Sequence, residues 1–224
     1  GTNGKGSITK ILSSFLSNYN FKTGGNYSPH LLKFNERITL NNCQISDGKI
    51  AEIANLMIDT IDYMDNLSEE LKPSFFEIIT AMAFLFFKEE KVEYASIEVG
   101  MGGRFDATNV LLPEVSVISC IDFDHTKTLG DTISKIAFEK CGIIKNGISV
   151  VTGSENDEAI EVIRKYSKLN SSHCYVINED FGYKNSEFMI NNNRFDYFEK
   201  DGFELKDIEL ALNGIHQFKN ACVA

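Results

Sequence analysis

The sequence has few prolines and no excess of basic residues, and each shortage excludes a class of protein. Only 3 of the 224 residues are proline, and no low-complexity tract or internal repeat is present, which excludes a disordered or repeat-built chain. Lysine and arginine number 22 against 32 acidic residues, so the formal net charge is −10. Nucleic acids and anionic membranes bind basic surfaces, and we therefore expect neither as a partner.

Paired cysteines and long apolar runs are also lacking. The five cysteines are odd in number and contain no C-x-x-C pair, which excludes a disulfide framework and a zinc site and indicates a reducing, cytoplasmic compartment. The richest apolar run, AMAFLFF at 81–87, is too short to cross a bilayer, and no signal-peptide pattern is present. We expect a soluble cytoplasmic protein.

The length and the first residue bound the domain organisation. A chain of 224 residues with 43% hydrophobic residues suits one large domain with one core, or one domain plus a fragment. The sequence begins at Gly1 without an initiator methionine, and its opening loop is of a type that normally follows a strand. We therefore expect a trimmed piece of a longer protein.

Hydrophobic periodicity predicts that strands and helices alternate along the chain. The predicted helices cover 5–18, a stretch from Asp47 to about 65, 75–87 after a Ser74/Glu77 capping box, 131–142 and 214–224. The predicted strands cover 21–27, 94–100, 114–121 and 147–151. This alternation predicts an α/β fold with a doubly wound, mostly parallel sheet, and short strands over about 173–212 predict a small antiparallel β extension.

The opening loop GTNGKGS is typical of a phosphate-binding site. Its glycines let the backbone approach phosphates, Lys5 can place its ammonium against the outer oxygens, and a helix N-terminus follows. The loop departs from the common G-x-x-x-x-G-K-[ST] form because Gly6 directly follows the lysine. An ordinary glycine-rich turn is the alternative interpretation.

Polar residues follow the predicted strands, where open α/β sheets bind their ligands. Ser28 lies in NYSPHLLKFNERI, Glu98 ends the strand 94–100, and His125 follows the strand 114–121. A Ser-Pro turn, a salt bridge from Glu98 to Arg104 and a structural histidine are the respective alternatives. A set of oxygen donors with one imidazole suits Mg²⁺ or Mn²⁺ better than zinc. Together with the phosphate-binding loop, this set predicts that the ligand is Mg-ATP.

Two further cationic features bear on the same site. His30, Lys33 and Arg37 form a local excess of cationic or protonatable groups that could hold an anionic substrate. Lys140 continues the apolar stripe of the predicted helix 131–142, so its side chain is expected to point inward. Favourable placement beside the free carbonyls of the last helical turn is the alternative.

Several stretches together resemble one known family. They are GTNGKGS, SPHLLKFNERI, FFEIITAMAF, IEVGMGGRFDATNV, DHTKTLGDTISKIAFEKCGIIK and GIHQFKNA. In this order they resemble the folylpolyglutamate synthase and dihydrofolate synthase branch of the ATP-dependent Mur ligases, over nearly the whole chain. The resemblance implies that residues 1–224 are the ATP-binding central domain, without the family's N-terminal start and C-terminal Rossmann-like domain.

The resemblance also implies an activity. Such a ligase uses ATP and Mg²⁺ to phosphorylate a carboxylate of dihydropteroate or a reduced folate, and the amino group of L-glutamate then attacks the acyl phosphate. Asp106, within RFDATN, favours an enzyme that accepts both acids. We expect small-molecule substrates and a monomer. The alternatives are a catalytically silent nucleotide-binding fragment and a cell-wall Mur amino-acid ligase, which is not expected to carry SPHLLKFNERI or GGRFDATN.

Residue roles follow from the resemblance alone. ATP would contact Asn3, Gly4, Lys5, Gly6, Ser7 and, at the adenine, Asn220. The magnesium ligands would be Ser28, Glu98, His125 and Lys140, the last carried as a carbamate. The substrate acid would contact Arg37, Ser74, Phe75, Phe76 and Asp106. Catalytic roles would fall to Lys5, His125 and Lys140.

Overall fold

The computed structural model of the chain describes residues 4–123, 126–189 and 193–224. The chain divides into two compact units. The N-terminal unit is Thr9–Gly100, and the C-terminal unit combines Gly1–Ile8 with Met101–Ala224. The sequence predicted a single core instead. Each unit has a buried apolar cluster of its own.

The N-terminal unit contains a mixed sheet and three helices. Its helices are α1 (Lys5–Asn18, whose first four residues belong to the C-terminal unit), α2 (Asp47–Leu67) and α3 (Phe75–Glu89). Its strands are β1 (Thr23–Asn26), β2 (Ile38–Leu40), β3 (Cys43–Gln44) and β4 (Tyr94–Ile97). The sheet order is β3-β2-β1-β4, with β1 parallel to β4 and antiparallel to β2. Single 3₁₀ turns span Phe34–Arg37 and Glu69–Leu71.

Caps and apolar stripes explain the helices of this unit. The Ser46 hydroxyl accepts the Lys49 N–H at 3.2 Å before α2, and the predicted Ser74/Glu77 capping box opens α3. The buried side of α3 packs with β2 and α2 in a cluster made of Ile38, Ile45, Ile53, Met82, Ala83, Phe86 and Phe87. The cluster packs the sheet of the N-terminal unit against α2 and α3.

The C-terminal unit contains a parallel sheet, an antiparallel sheet and four further helices in its described part. Its helices are α4 (Thr126–Leu129), α5 (Ile133–Lys140), α6 (Asp157–Leu169) and α7 (His216–Val223). Strands β5 (Ser116–Ile118), β6 (Val150–Thr152) and β7 (Cys174–Val176) form a parallel sheet. Strands β8 (Phe181–Glu187), β9 (Asn193–Glu199) and β10 (Glu204–Leu210) form an antiparallel sheet. Residues Ala107–Val110 and Cys141–Ile143 form 3₁₀ turns.

The α/β class, the parallel strand pairs and the antiparallel extension are confirmed. The predicted extent of that extension is wrong at its start: β7 lies inside 173–212 but pairs parallel with β6, so the antiparallel sheet begins at Phe181. Helix α6 and strands β2 and β3 were not predicted from the sequence. The doubly wound arrangement stays a prediction, because the parallel pairs lie in two separate sheets.

The start of α5 also differs from the prediction. The helix begins at Ile133 with Thr132 as its cap, whose hydroxyl accepts the Lys135 N–H at 3.2 Å. Asp131 was the predicted first residue, but its carboxylate instead accepts the Lys135 ammonium at 2.7 Å. The Thr132 hydroxyl therefore supplies the capping acceptor.

All five cysteines are free thiols. Among the described helices, none combines the length and the apolar character that crossing a bilayer requires.

Candidate active site

Ser28 and Glu98 lie together at one edge of the N-terminal sheet. Strands β1 and β4 run parallel with Asn26 opposite Ile97, so their carboxyl ends meet at the same edge. The Glu98 N–H donates to the Asn26 carbonyl at 3.0 Å, and the Ser28 N–H donates to the Glu98 carboxylate at 2.9 Å. Glu98 is 6% exposed, so its carboxylate is held out of bulk water at a strand end.

The donor chemistry of this edge fits a hard divalent cation. A buried carboxylate and a neighbouring serine offer oxygen ligands, which Mg²⁺ prefers. The Asn26 side-chain oxygen is also buried and has no hydrogen-bond partner among the described residues. Two other predicted ligands are not part of this pair, because His125 lies outside the described residues and Lys140 belongs to the C-terminal unit.

No group of three or more His, Cys, Asp and Glu side chains that could hold a metal occurs in 4–123, 126–189 and 193–224. The predicted ligand set is of a different kind, since a serine and a modified lysine belong to it. That the four predicted ligands meet at one ion stays a prediction.

Arg37 is a buried cation at the end of the 3₁₀ turn Phe34–Arg37, and its charge interacts with Glu98. Its Nε donates to His30 Nδ1 at 2.8 Å, and its guanidinium carbon lies 5.8 Å from the centre of the Phe75 ring. Burial lowers the pKa of the Arg37 guanidinium, and the charge of Glu98 opposes that shift. The structure therefore brings two predicted substrate residues, Arg37 and Phe75, into contact range.

The remaining predicted substrate residues lie in different environments. Ser74 caps α3 through its hydroxyl, and Phe76 is half-buried in the first turn of that helix. Phe75 is 63% exposed, so its ring is available to a ligand. In the C-terminal unit, the Asp106 carboxylate accepts the Met101 N–H at 2.9 Å together with the N–H and hydroxyl of Thr108.

The predicted phosphate-binding loop is described from Gly4 onward, and Asn3, which is also predicted to contact ATP, lies outside the described residues. Helix α1 begins at Lys5, and the Ile8 N–H donates to the Gly4 carbonyl at 3.0 Å. The N–H groups of the first turn are the ones that have no carbonyl partner within a helix, and they are suited to bind an anion.

Asn220 lies against this loop. Gly4 has φ +76°, and a Cβ built there would meet the Asn220 side-chain oxygen at 2.3 Å. Asn220 is 6% exposed, and its amide nitrogen donates to the Gln217 side chain at 2.9 Å. The residues predicted to bind phosphate and adenine are therefore neighbours.

Lys140 is the last residue of α5 and is buried, as its place on the apolar stripe predicted. A loop packs around this helix end: the Arg104 N–H donates to the Glu139 carbonyl at 3.0 Å, and the Arg104 guanidinium lies 4.0 Å from the centre of the Phe138 ring. The Asn109 amide donates to the carbonyls of Arg104 and Gly142, each at 3.0 Å. The loop thus fixes the backbone that carries Lys140.

Three residues that the sequence analysis did not single out belong to these arrangements. Asn109 ties its loop to the end of α5, and Asn26 places a buried oxygen at the end of β1. Glu36 accepts the N–H groups of three successive residues in the loop before Arg37. The available signals were a polar residue at a strand end for Asn26 and a glutamate three residues after Lys33 for Glu36.

Comparisons with known proteins agree with the motifs. The sequence matches the family described as Mur ligase middle domain over residues 1–224. The dihydrofolate synthase/folylpolyglutamate synthase of Bacillus subtilis (strain 168) is 39% identical over 225 residues, covering 100% of this chain and 52% of that protein. The folylpolyglutamate synthase of Lacticaseibacillus casei is 34% identical, covering 100% of this chain and 52% of that protein.

Solved structures are similar over the same extent. The folylpolyglutamate synthase of Thermotoga maritima superposes with a TM-score of 0.92 at 43% identity, covering 100% of this chain and 51% of that one. An FPGS-AMPPCP-folate complex superposes with a TM-score of 0.93 at 34% identity, covering 99% of this chain and 54% of that one. The chain spans about half the length of the curated relatives it matches. On the match over its whole length, this chain belongs to the Mur ligase middle-domain family.

Proposed function

We propose that the protein carrying this chain is an ATP-dependent ligase that joins L-glutamate to the carboxylate of a folate or of dihydropteroate. Residues 1–224 supply its ATP-binding central domain, with a P-loop and a doubly wound sheet. The family match and the names of the relatives support this proposal. So does the likeness to a protein whose structure was determined with AMPPCP and folate.

The observation that carries the proposal is the buried Glu98 carboxylate bound to the Ser28 amide at the shared edge of β1 and β4. An oxygen-donor pair at the carboxyl ends of parallel strands is where an α/β protein would hold a nucleotide's cation. Ser28, Glu98, His125 and carbamylated Lys140 would hold Mg²⁺, and the bound ion would neutralise phosphate charge. The carbamate would replace an ammonium that repels the ion by an anionic oxygen donor.

In the first step, Lys5 and the N–H groups of Gly6 and Ser7 hold the ATP phosphates, with Asn220 against the adenine. Arg37 orients the carboxylate of the acid, while Phe75 offers an exposed ring face to its aromatic part. A carboxylate oxygen attacks the γ-phosphorus, the bond from that phosphorus to the ADP oxygen breaks, and an acyl phosphate and ADP form.

In the second step, the amino nitrogen of L-glutamate attacks the acyl carbon. The carbon–oxygen bond to phosphate breaks, the nitrogen loses a proton, and an amide and inorganic phosphate leave. Two anionic reactants must be held together, so positioning and cation electrostatics supply most of the rate enhancement.

The test is glutamate-dependent ADP release by the intact protein that carries this chain. Dihydropteroate and tetrahydrofolate are supplied separately, and a UDP-muramoyl acid is the alternative substrate. We expect turnover with at least one of the first two acids, and turnover with the UDP-muramoyl acid alone would assign the protein to cell-wall synthesis. Lys5→Ala should lower turnover by at least about 100-fold, whereas Lys165→Ala, at an exposed site on α6, should not. A wild type without turnover on any acid would contradict the proposal.

A further inference from the structure

The loop between β1 and β2 has an exposed apolar tip. Leu31 and Leu32 are each 88% exposed, so their side chains bury almost nothing that would hold the tip in place. A loop with little apolar burial is expected to be locally unstable unless polar contacts fix it. The contacts that fix this loop therefore control where Ser28, His30 and Arg37 lie.

Glu36 supplies those contacts at the tip. One carboxylate oxygen accepts the Leu31 N–H at 2.7 Å, and the other accepts the N–H groups of Leu32 at 3.0 Å and Lys33 at 2.8 Å. Hydrogen bonds from Leu31 and Lys33 are the main cause of a lowered pKa at Glu36, so the carboxylate is ionised at neutral pH. Bonds from N–H groups to a charged acceptor are about twice as strong as neutral ones.

The base of the loop is anchored separately. The Tyr27 N–H donates to the Arg37 carbonyl at 2.9 Å, and the Ser28 N–H donates to Glu98. The His30 ring accepts from Arg37 Nε at 2.8 Å. Glu36 directly precedes Arg37 in the chain, so its carboxylate ties the tip to the same 3₁₀ turn that carries the Arg37 side chain.

We propose that Glu36 is a positioning residue for the ligase reaction. Its carboxylate holds the tip residues 31–33 in place, so that the hydrogen bonds between His30 and Arg37 and between Ser28 and Glu98 are kept. The proposal rests on the ligase function proposed above. Glu36 acts through these residues and does not itself contact the reacting atoms. We name the bonds from its carboxylate to residues 31–33 the Glu36 latch.

The variants separate a latch from a simple charge effect. Glu36→Gln keeps the reach and one oxygen acceptor, but it loses the charge and replaces the other accepting oxygen by an NH₂ donor. Glu36→Asp keeps the charge but is shorter by one methylene and falls short of the three N–H groups. Glu36→Ala removes both. If the latch matters, activity should be highest in the wild type, lower in Glu36→Gln, and lowest in Glu36→Asp and Glu36→Ala, which should be alike. If only the charge matters, Glu36→Asp should be more active than Glu36→Gln. Glu70→Ala, at an exposed position of the same unit, is the matched control.

The first readout is amide hydrogen exchange of residues 31–33 in the intact protein, which needs no activity. We expect exchange at least about tenfold faster in Glu36→Ala and unchanged in Glu70→Ala. Equal exchange in wild type and Glu36→Ala would overturn the proposal, whatever the enzyme does.

The second readout is steady-state kinetics with the acid substrate that the wild type accepts. We expect kcat/KM for the acid to fall about 10- to 100-fold in Glu36→Ala while the melting temperature changes little. A purely structural role would instead lower the melting temperature and the active fraction, leaving KM unchanged. If the wild type turns over and Glu36→Ala matches it, the latch proposal is wrong. If the wild type does not turn over, the proposed function fails and hydrogen exchange still decides on the latch.

Discussion

Replacing Gly4 with alanine tests the contact between Asn220 and the loop that is predicted to bind phosphate. Gly4 has φ +76°, where an L-residue costs about 1–2 kcal/mol. A Cβ there would meet the Asn220 side-chain oxygen at 2.3 Å, and Asn220 is buried with its amide nitrogen bonded to Gln217. Overpacking of this kind costs a further ~1–3 kcal/mol, so we expect a total loss of about 2–5 kcal/mol in the free energy of unfolding.

Gly147→Ala is the matched control. Gly147 has φ +75°, and a Cβ there would meet nothing within 4 Å, so this variant measures the backbone cost alone. We expect it to lose only about 1–2 kcal/mol. The double variant Gly4→Ala/Asn220→Ala should lose at least ~1 kcal/mol less than the sum of its single variants, because the colliding amide is gone.

The assays are urea denaturation of the intact protein and calorimetric titration with ADP. We expect Gly4→Ala to weaken ADP binding by about tenfold or more, since Asn220 must move, and Gly147→Ala to leave it unchanged. If Gly4→Ala and Gly147→Ala lose the same stability and Asn220→Ala shows no coupling, the proposed contact is refuted.

Three further predictions concern the C-terminal unit. Burial raises the pKa of Cys141 and of Cys222 to about 12, so at pH 8 a thiol reagent should label exposed Cys43 and spare these two, as read by mass spectrometry. Because the fold favours both thiols in their protonated form, this contribution to the free energy of unfolding is fully present below the unfolded pKa of 9.0 and is lost as the pH rises towards about 12. Urea titrations at pH 8 and pH 10 would detect the loss. Asn109→Ala leaves the Gly142 carbonyl without its amide donor and should cost about 1–3 kcal/mol, and an unchanged urea midpoint would contradict this.

Local patterns predicted the helices well. The apolar spacing and the caps of α2 and α3 depend on residues within a turn or two of each other, and the structure has both helices where the sequence predicted them. The direction of β7 was missed for the opposite reason: CYVIN is a short apolar run, and nothing in it reports whether its partner is β6 or β8. Strand pairing is decided by distant residues.

Helix α6 carries a cap and an apolar face that are weak signals in the sequence. Asn156 caps it by accepting the Ala159 N–H at 3.1 Å, and Ile160, Ile163 and Ser167 form its buried face. Charged residues fill the other faces, so its overall composition is polar and its periodicity is easily overlooked.

The sequence predicts that two residues lie close together where strand pairing alone brings them together. Ser28 and Glu98 follow strands that pair in parallel, so a position after each strand sufficed to predict that they are neighbours. The spacing of Glu36 after Lys33 indicates at most a helix cap, because three backbone N–H groups converge on the Glu36 carboxylate only after the loop has adopted its conformation. His125 and Asn3 lie outside the described residues, so their roles stay predictions.

The most direct test of the account is an anomalous-scattering crystal structure of the intact protein with Mn²⁺, as a stand-in for Mg²⁺, and a non-hydrolysable ATP analogue. The account predicts an anomalous peak within ~2.5 Å of a Glu98 carboxylate oxygen, next to the Ser28 hydroxyl and the nucleotide phosphates. A fully occupied ion that contacts the phosphates but lies away from both Glu98 and Ser28 would contradict it.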